Sequence, residues 1–205
     1  MLHDVPAAIS ALSFGIRAER RRLRKEFYIF NMNYAEIKTN DIANGEGVRT
    51  SLFVSGCRHH CPDCFNYMTW DFAYGNPFTD EIKEKIFAAT EPKWVAGLSI
   101  LGGEPFEPEN QGALLEFLKE FKEKFPQKNI WCYSGFTFEE ITGKEKSRAF
   151  TPISAELLSM LDILVDGRFM KEKKNIRLKF RGSENQRIID VKKTLETGGV
   201  VIYLD

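Results

Sequence analysis

The sequence predicts an α/β fold with helices set around a mostly parallel sheet. Two observations lead there. Short apolar, β-branched runs alternate with longer runs whose apolar residues recur at helical spacing, and the residues best suited to chemistry fall just after the strand-like runs. Residues 48–55 are apolar and β-branched, and Gly56 ends them. Thr79-Asp80-Glu81-Ile82 offers a cap and an acidic first turn for a helix running to Thr90. Residues 97–101 read as a short buried strand stopped by Gly102-Gly103. A helix over 110–125 places Leu114, Leu118, Phe121 and Phe125 on one face, and Pro126 stops it. Residues 129–133 read as a strand, 154–161 as a helix, and 163–165 as a strand ending at Asp166-Gly167. The tail adds a strand-like run over 200–204.

Alternation of this kind implies right-handed βαβ units, and ligands of such sheets sit beyond the carboxyl ends of the strands. Four loops meet that rim: the cysteines after the first strand, Gly102-Gly103-Glu104-Pro105, Ser134-Gly135 and Asp166-Gly167. Loops converging on one rim make a site.

Composition excludes several classes. The 205 residues balance 29 Lys and Arg against 29 Asp and Glu, so no global charge draws the chain to nucleic acid. No apolar run has the length of about 18–20 residues that spans a bilayer. The apolar patch over 7–16 has no basic segment before it, which argues against a secretory signal, and Glu19 and Glu26 argue against an Arg-rich transit peptide. Three clustered cysteines and one distant one make no disulfide framework, so a reducing cytoplasm is expected. There is no internal repeat and no low-complexity tract.

Residues 1–31 stand apart. They carry six Lys and Arg against three Asp and Glu, a net of +3, which leaves −3 for 32–205. The run from Arg17 to Glu26 suits a solvated helix or a disordered basic arm. Met32-Asn33-Tyr34 has the look of a second start. The expectation is an extension at 1–31, with a partner-touching arm as the sharper reading, and a working domain at 32–205.

The chemistry is concentrated in Cys57-Arg58-His59-His60-Cys61-Pro62-Asp63-Cys64, a C-x3-C-x2-C run. Three thiolates can hold one metal centre and leave a coordination position open. A structural zinc would need a fourth ligand, for which His59 or His60 is awkwardly placed between two cysteines. The second distant cysteine pair of a zinc ribbon is absent. Cys132 lies in an apolar strand-like run and reads as a buried, inert thiol. A four-iron cluster on three thiolates leaves one iron open to a substrate.

The cysteine spacing is also the signature of radical S-adenosylmethionine (SAM) enzymes, and Gly102-Gly103-Glu104-Pro105 resembles their GGEP motif. More narrowly, Asn44-Gly45-Glu46-Gly47-Val48-Arg49 leading to Cys57 resembles the glycyl-radical-enzyme activases. Cys64-Phe65-Asn66 with Thr69-Trp70, the run from Trp131 to Phe136, the run from Leu164 to Phe169 and the run from Arg181 to Arg187 resemble the activating proteins of anaerobic ribonucleoside-triphosphate reductase. The likeness covers about residues 32–191.

That resemblance implies a partial, open (β/α) barrel and an oxidoreductase. One [4Fe-4S] cluster per chain would be held by Cys57, Cys61 and Cys64, the catalytic and metal-binding residues. SAM's amino and carboxylate groups would chelate the fourth iron, and reductive cleavage would yield the radical that removes a hydrogen from a glycine of the reductase large subunit. Gly102 and Gly103 would let the backbone approach SAM, and Glu104 would accept from its ammonium. Asn66, Ser134 and Asp166 would face its ribose or carboxylate. Many superfamily members carry an aromatic residue before the third cysteine and this family more often a glycine. Here the residue is Asp63, so backbone groups of Asp63, Cys64 and Phe65 are expected to meet the adenine.

Flavodoxin or ferredoxin would donate the electron. Neither nucleic acid nor membrane is expected as a partner. Trp70, Trp94 and Trp131 are expected in the core, and Arg49, His59 and His60 either at the partner or solvated. Residues 181–187 either meet the partner's glycine loop or close a sheet edge. Two alternatives stand beside this reading: an activase of another glycyl radical enzyme such as pyruvate formate-lyase, and a non-enzymatic zinc-binding module. The larger activases add clusters for which four cysteines leave no room.

Overall fold

The computed structural model describes residues 32–204, and the expected extension at 1–31 lies outside them. Eight strands form one sheet: β1 Asn33–Asp41, β2 Val48–Val54, β3 Asn76–Pro77, β4 Val95–Gly102, β5 Asn129–Tyr133, β6 Ile163–Asp166, β7 Arg187–Asp190 and β8 Ile202–Leu204. Their order across the sheet is β3-β1-β2-β4-β5-β6-β7-β8. Among the described residues five α-helices connect them: α1 Asp80–Thr90, α2 Pro108–Lys124, α3 Phe138–Ile141, α4 Ser154–Ser159 and α5 Val191–Thr197.

The α/β class is as expected, but the sheet is not mostly parallel. β2, β4, β5 and β6 pair in parallel at the centre, whereas the β1–β2, β1–β3, β6–β7 and β7–β8 pairings are antiparallel. A parallel pair needs a crossover of about a dozen residues or more, usually helical. The 42–47 connection is too short for one, so β1 and β2 form a hairpin. Residues 167–186 contain no α-helix to carry the chain across a face, and β7 returns antiparallel to β6.

Side-chain alternation divides the two faces of the sheet. Leu52, Val54, Leu98, Ile100, Ile130, Cys132, Leu164 and Ile189 join the main core beneath the helices. Trp131, Ile163, Val165 and Ile188 form a smaller cluster with Tyr133, Phe180 and Leu204. Cys132 is buried and unpaired, as expected of an inert core thiol, and burial pushes its ionisation well above the usual thiol range.

α1 keeps its acidic first turn, Asp80 and Glu81, but the Thr79 side chain makes no cap hydrogen bond. α2 starts two residues before the expected position because Pro108, with no N–H to lose, suits the first turn. It buries Leu114, Leu115, Phe117, Leu118 and Phe121. Phe117 packs edge-on to Phe78 at 5.3 Å and stacks with Phe87 at 5.7 Å. α4 ends at Ser159, short of the expected 161. α3 was not expected; a Thr137–Glu140 capping box starts it.

The tryptophans separate: Trp131 is 1% exposed, Trp70 half-buried, and Trp94 is 69% exposed rather than in the core, on the turn between α1 and β4. Among the described residues no helix is long and apolar enough to cross a membrane.

Candidate functional site

β2 delivers the chain to the rim, and Gly56 turns it. Its φ of +94° is left-handed territory, and a Cβ there would lie 2.2 Å from the Phe72 ring. The cysteine loop is closed at its base: Gly56 N donates to Thr69 O at 2.8 Å and Cys57 N to Trp70 O at 3.1 Å. Between these ties the chain makes one excursion holding all three cysteines. Within it His60 and Asp63 have positive φ, and Cys64 N donates to Cys61 O at 3.1 Å.

All three thiols are free; Cys57 is buried, while Cys61 and Cys64 are half-buried. Burial, aided by the Glu104 carboxylate, pushes Cys57 up to about 12. Burial and the neighbouring Cys64 push Cys61 up as well. On their own Cys57 and Cys61 stay protonated at neutral pH, and a bound cationic centre is what would hold them as thiolates. Among the described residues no group of three His, Cys, Asp or Glu is gathered as for a single metal ion.

The donor chemistry nonetheless suits an iron–sulfur cluster, whose thiolates bind separate irons. Three unpaired sulfurs share one loop, and beside them Ser55 Oγ, His59 Nδ1 and Asn66 Nδ2 are buried without a hydrogen-bond partner.

The Gly102-Gly103-Glu104-Pro105 loop lies edge-on against that loop's stem. Gly103 N donates to Val54 O at 2.7 Å and Glu104 N to Gly56 O at 2.8 Å. A Cβ on Gly103 would lie 2.7 Å from the Gly56 carbonyl oxygen, and Gly102 has a φ of +106°. Two glycines are therefore required simply to bring the two loops together.

Glu104 is 1% exposed and forms the hub. Its Oε1 accepts from Phe106 N and Ser134 Oγ, each at 2.8 Å. Its Oε2 accepts from Gly135 N at 2.7 Å and His59 Nε2 at 3.1 Å. A carboxylate offers about four lone-pair sites, and each of these donors takes one. One side chain thus links the cysteine loop, the β4 loop and the β5 loop.

His59 is accordingly neither solvated nor at the surface, and its ring also packs on Phe136 at 4.3 Å. Exposed His60 stacks on Trp70 at 4.4 Å. Arg49 is fully buried rather than at a partner surface: Nε donates to Ser99 Oγ at 2.6 Å, and the guanidinium also reaches Leu98 O and Glu46 O. Desolvation lowers its ionisation to about 10.

Glu107, fully buried, was missed by sequence reasoning because nothing in its spacing sets it apart. It accepts from Arg58 N at 2.8 Å, from the Arg58 guanidinium at 2.9 Å and from Arg148 through two bonds of 2.9 Å. Burial opposes its charge, but these donors outweigh burial and hold the carboxyl below the usual glutamate range. The residue after Cys57 is thereby anchored to the start of α2.

Asp166 sits on the same rim, with its carboxylate engaged by Phe138 N at 2.7 Å and by Arg187, which also pairs with Glu139. Arg187 opens β7 inside the sheet, so the 181–187 stretch ends in a strand between two others. Asp63 is exposed and pairs with Lys171 at 2.9 Å, and the Phe65 side chain is 83% exposed. The structure therefore brings together Cys57, the two glycines, Glu104 and Ser134. Asp166 is held by other partners and Asp63 faces outward.

Comparison with known proteins agrees with this geometry. A family model described as a 4Fe-4S single cluster domain matches residues 43–189. The anaerobic ribonucleoside-triphosphate reductase-activating protein of Vibrio cholerae is 38% identical over 159 residues, covering 77% of this chain and 97% of that protein. The Escherichia coli K12 protein of the same name is 34% identical over 76% of this chain and 96% of its own length. That of enterobacteria phage T4 is 34% identical over 77% and 93%. Cysteine loop, glycine loop and likeness along nearly the whole of these relatives agree, and the chain belongs to the family of anaerobic ribonucleoside-triphosphate reductase-activating proteins.

Proposed function

We propose that Cys57, Cys61 and Cys64 hold one [4Fe-4S] cluster, that SAM binds beside it, and that the chain generates a glycyl radical on the large subunit of anaerobic ribonucleoside-triphosphate reductase. The observation that carries this reading is the edge-to-edge seam between the cysteine loop and the glycine loop, with Glu104 beneath it. Held by these three thiolates, a cluster would supply the electron for reductive cleavage of SAM, the source of the radical that would remove a hydrogen atom from the partner's glycine.

The chain's own residues orient and exclude. Three donors on Glu104 belong to Ser134 or to the backbone of the loops, and the fourth is the His59 ring. Were that ring displaced, one lone-pair site on Oε2 would open to the SAM ammonium, a charge-assisted contact, while Gly135 N keeps the other. Gly102 and Gly103 keep the backbone bare on that side. Asn66, with an unpartnered buried Nδ2, can donate to a ribose or carboxylate oxygen. Backbone groups of Asp63, Cys64 and Phe65 are left for the adenine. Ser134 orients Glu104, and Asp166 holds the rim through Arg187 and α3.

In this reading the sheet with its parallel centre is a partial barrel of the radical SAM type, open for a macromolecular substrate. Residues 32–205 are the working domain in the cytoplasm, a flavodoxin or ferredoxin supplies electrons, and neither nucleic acid nor membrane is a partner. A chain beginning at Met32 should keep full activity. Neither the pyruvate formate-lyase alternative nor the zinc module is favoured by relatives that are named for the reductase.

The test is anaerobic reconstitution with iron and sulfide, followed by SAM, reductant and the reductase. Formation of 5′-deoxyadenosine and a glycyl radical signal on the reductase is expected. A fully loaded protein that cleaves no SAM would discard the proposal.

A further inference from the structure

Residues 168–184 fold back on themselves beside the cysteine loop. Asn175 N donates to Gly182 O, Glu184 N donates to Lys173 O, and Lys174 and Ser183 form an antiparallel bridge. At the near end Lys171 pairs with Asp63 at 2.9 Å. This strap carries seven Lys and Arg against two Glu, a net of +5. It does so within a stretch, 32–205, that sums to −3, so the remainder carries −8.

A run of cations is ordinarily a solvated face balanced by local acids. Here Lys173, Lys174, Arg177 and Lys179 are exposed and form no salt bridge among the described residues. The cysteine loop and the strap also bare apolar side chains. Phe65 is 83% exposed, Tyr67 62% and Met68 50%, all within a few residues of Cys64, and Ile176 on the strap is 89% exposed. Large apolar side chains bared next to unbalanced cations have the make-up of a docking surface, where apolar anchors give affinity and charges give orientation.

We propose that the strap and the outer side of the cysteine loop form the docking surface for the protein that receives the radical, and that this partner presents an acidic segment around its glycine. The identity of the partner rests on the function proposed above; the sign of its surface rests on the charge pattern alone. The strap's tie to Asp63, which lies between Cys61 and Cys64, sets this surface beside the proposed cluster ligands, which is where a glycine must be delivered. The cations steer the acidic segment in, and Phe65, Tyr67, Met68 and Ile176 lose water against it.

The test compares two full-length triple variants with the same change in net charge. One reverses the strap, Lys173→Glu, Lys174→Glu and Lys179→Glu. The other reverses three exposed lysines elsewhere, Lys85→Glu, Lys93→Glu and Lys146→Glu. Association with purified reductase large subunit is measured by interferometry at low and at high salt. SAM cleavage is measured with a chemical reductant and no partner.

The strap variant should bind about tenfold or more weakly at low salt, with the gap closing at high salt, while the control stays within about twofold of the parent. Both should cleave SAM as the parent does. If the strap reversal does not fold, Lys173→Gln, Lys174→Gln and Lys179→Gln carry the same comparison at about half the charge change. Unchanged association, or an equal loss in the control, overturns the proposal. So does a loss confined to electron transfer from flavodoxin, or strap-dependent binding of RNA in place of the reductase. A parent that binds the reductase through the strap yet cleaves no SAM would overturn the reaction and leave the surface standing.

Discussion

Glu104 and Glu107 lie three residues apart, both buried, and divide the work of the β4 loop. Glu104 collects donors from three loops, whereas Glu107 fastens the cysteine loop to α2 and to Arg148. Replacing Glu104 by Gln keeps the shape but removes the charge and sets an NH2 group against a donor. SAM affinity, measured by calorimetry, should fall by about tenfold or more, the worth of a charge-assisted bond. Glu107→Gln acts elsewhere. Its Arg partners are partly exposed, so the loss in unfolding free energy should be about 2 kcal/mol rather than the full cost of breaking a buried pair, with less iron retained on the loop. Gly103→Ala places a Cβ 2.7 Å from a backbone oxygen that cannot swing aside. Its cost should be about 1–3 kcal/mol of stability, and iron and sulfide retention should drop because the two loops are pushed apart.

At the scale of elements, α2 couples site and core. Its first turn receives the Arg58 pair through Glu107 and Glu109, while its middle buries Phe117 against Phe78 and Phe87. Phe117→Ala leaves a void among rings that cannot collapse onto it. Urea denaturation should show a loss of about 3–5 kcal/mol. The parallel centre of the sheet does the other positioning. β2, β4, β5 and β6 all point their carboxyl ends to one rim, so loops distant in sequence meet at Glu104 and Asp166.

For the molecule as a whole, acid should be the sensitive direction. Burial disfavours the Asp162 charge, yet hydrogen bonds from Lys122, Lys192 and Ile130 N outweigh burial and hold its ionisation below the usual 3.8. Glu107 behaves the same way with its two arginines, and Glu139 is held below 4.5 by Arg187. A carboxyl with a lower value folded than unfolded contributes stability that is present above its unfolded value and lost as pH falls through the folded one. Urea midpoints should therefore be flat with respect to these groups above about pH 5 and fall steeply below about pH 4.5. Asp162→Asn should lower stability at neutral pH and make the acid limb shallower.

Much of this was legible in the sequence. Period, glycine stops and proline stops gave the parallel centre, because apolar spacing reports local burial, and the cysteine and glycine motifs marked their own loops because no other residue types serve there. The antiparallel flanks were not legible: β1 reads as a polar stretch, half solvated, and its pairing depends on a hairpin whose length only the fold makes decisive. Trp94 was expected inside because it is large and apolar, but a turn leaves it in water. Arg49, His59 and Glu107 carry no local signal, since a charged side chain is buried only where distant backbone and counter-charges converge on it. By itself the sequence determined the chemistry available, three sulfurs and a bare glycine loop after neighbouring strands. Only the tertiary structure decided which carboxylate binds those loops together and which charges are left facing outward, because both depend on groups that the chain separates and the sheet brings within hydrogen-bond reach.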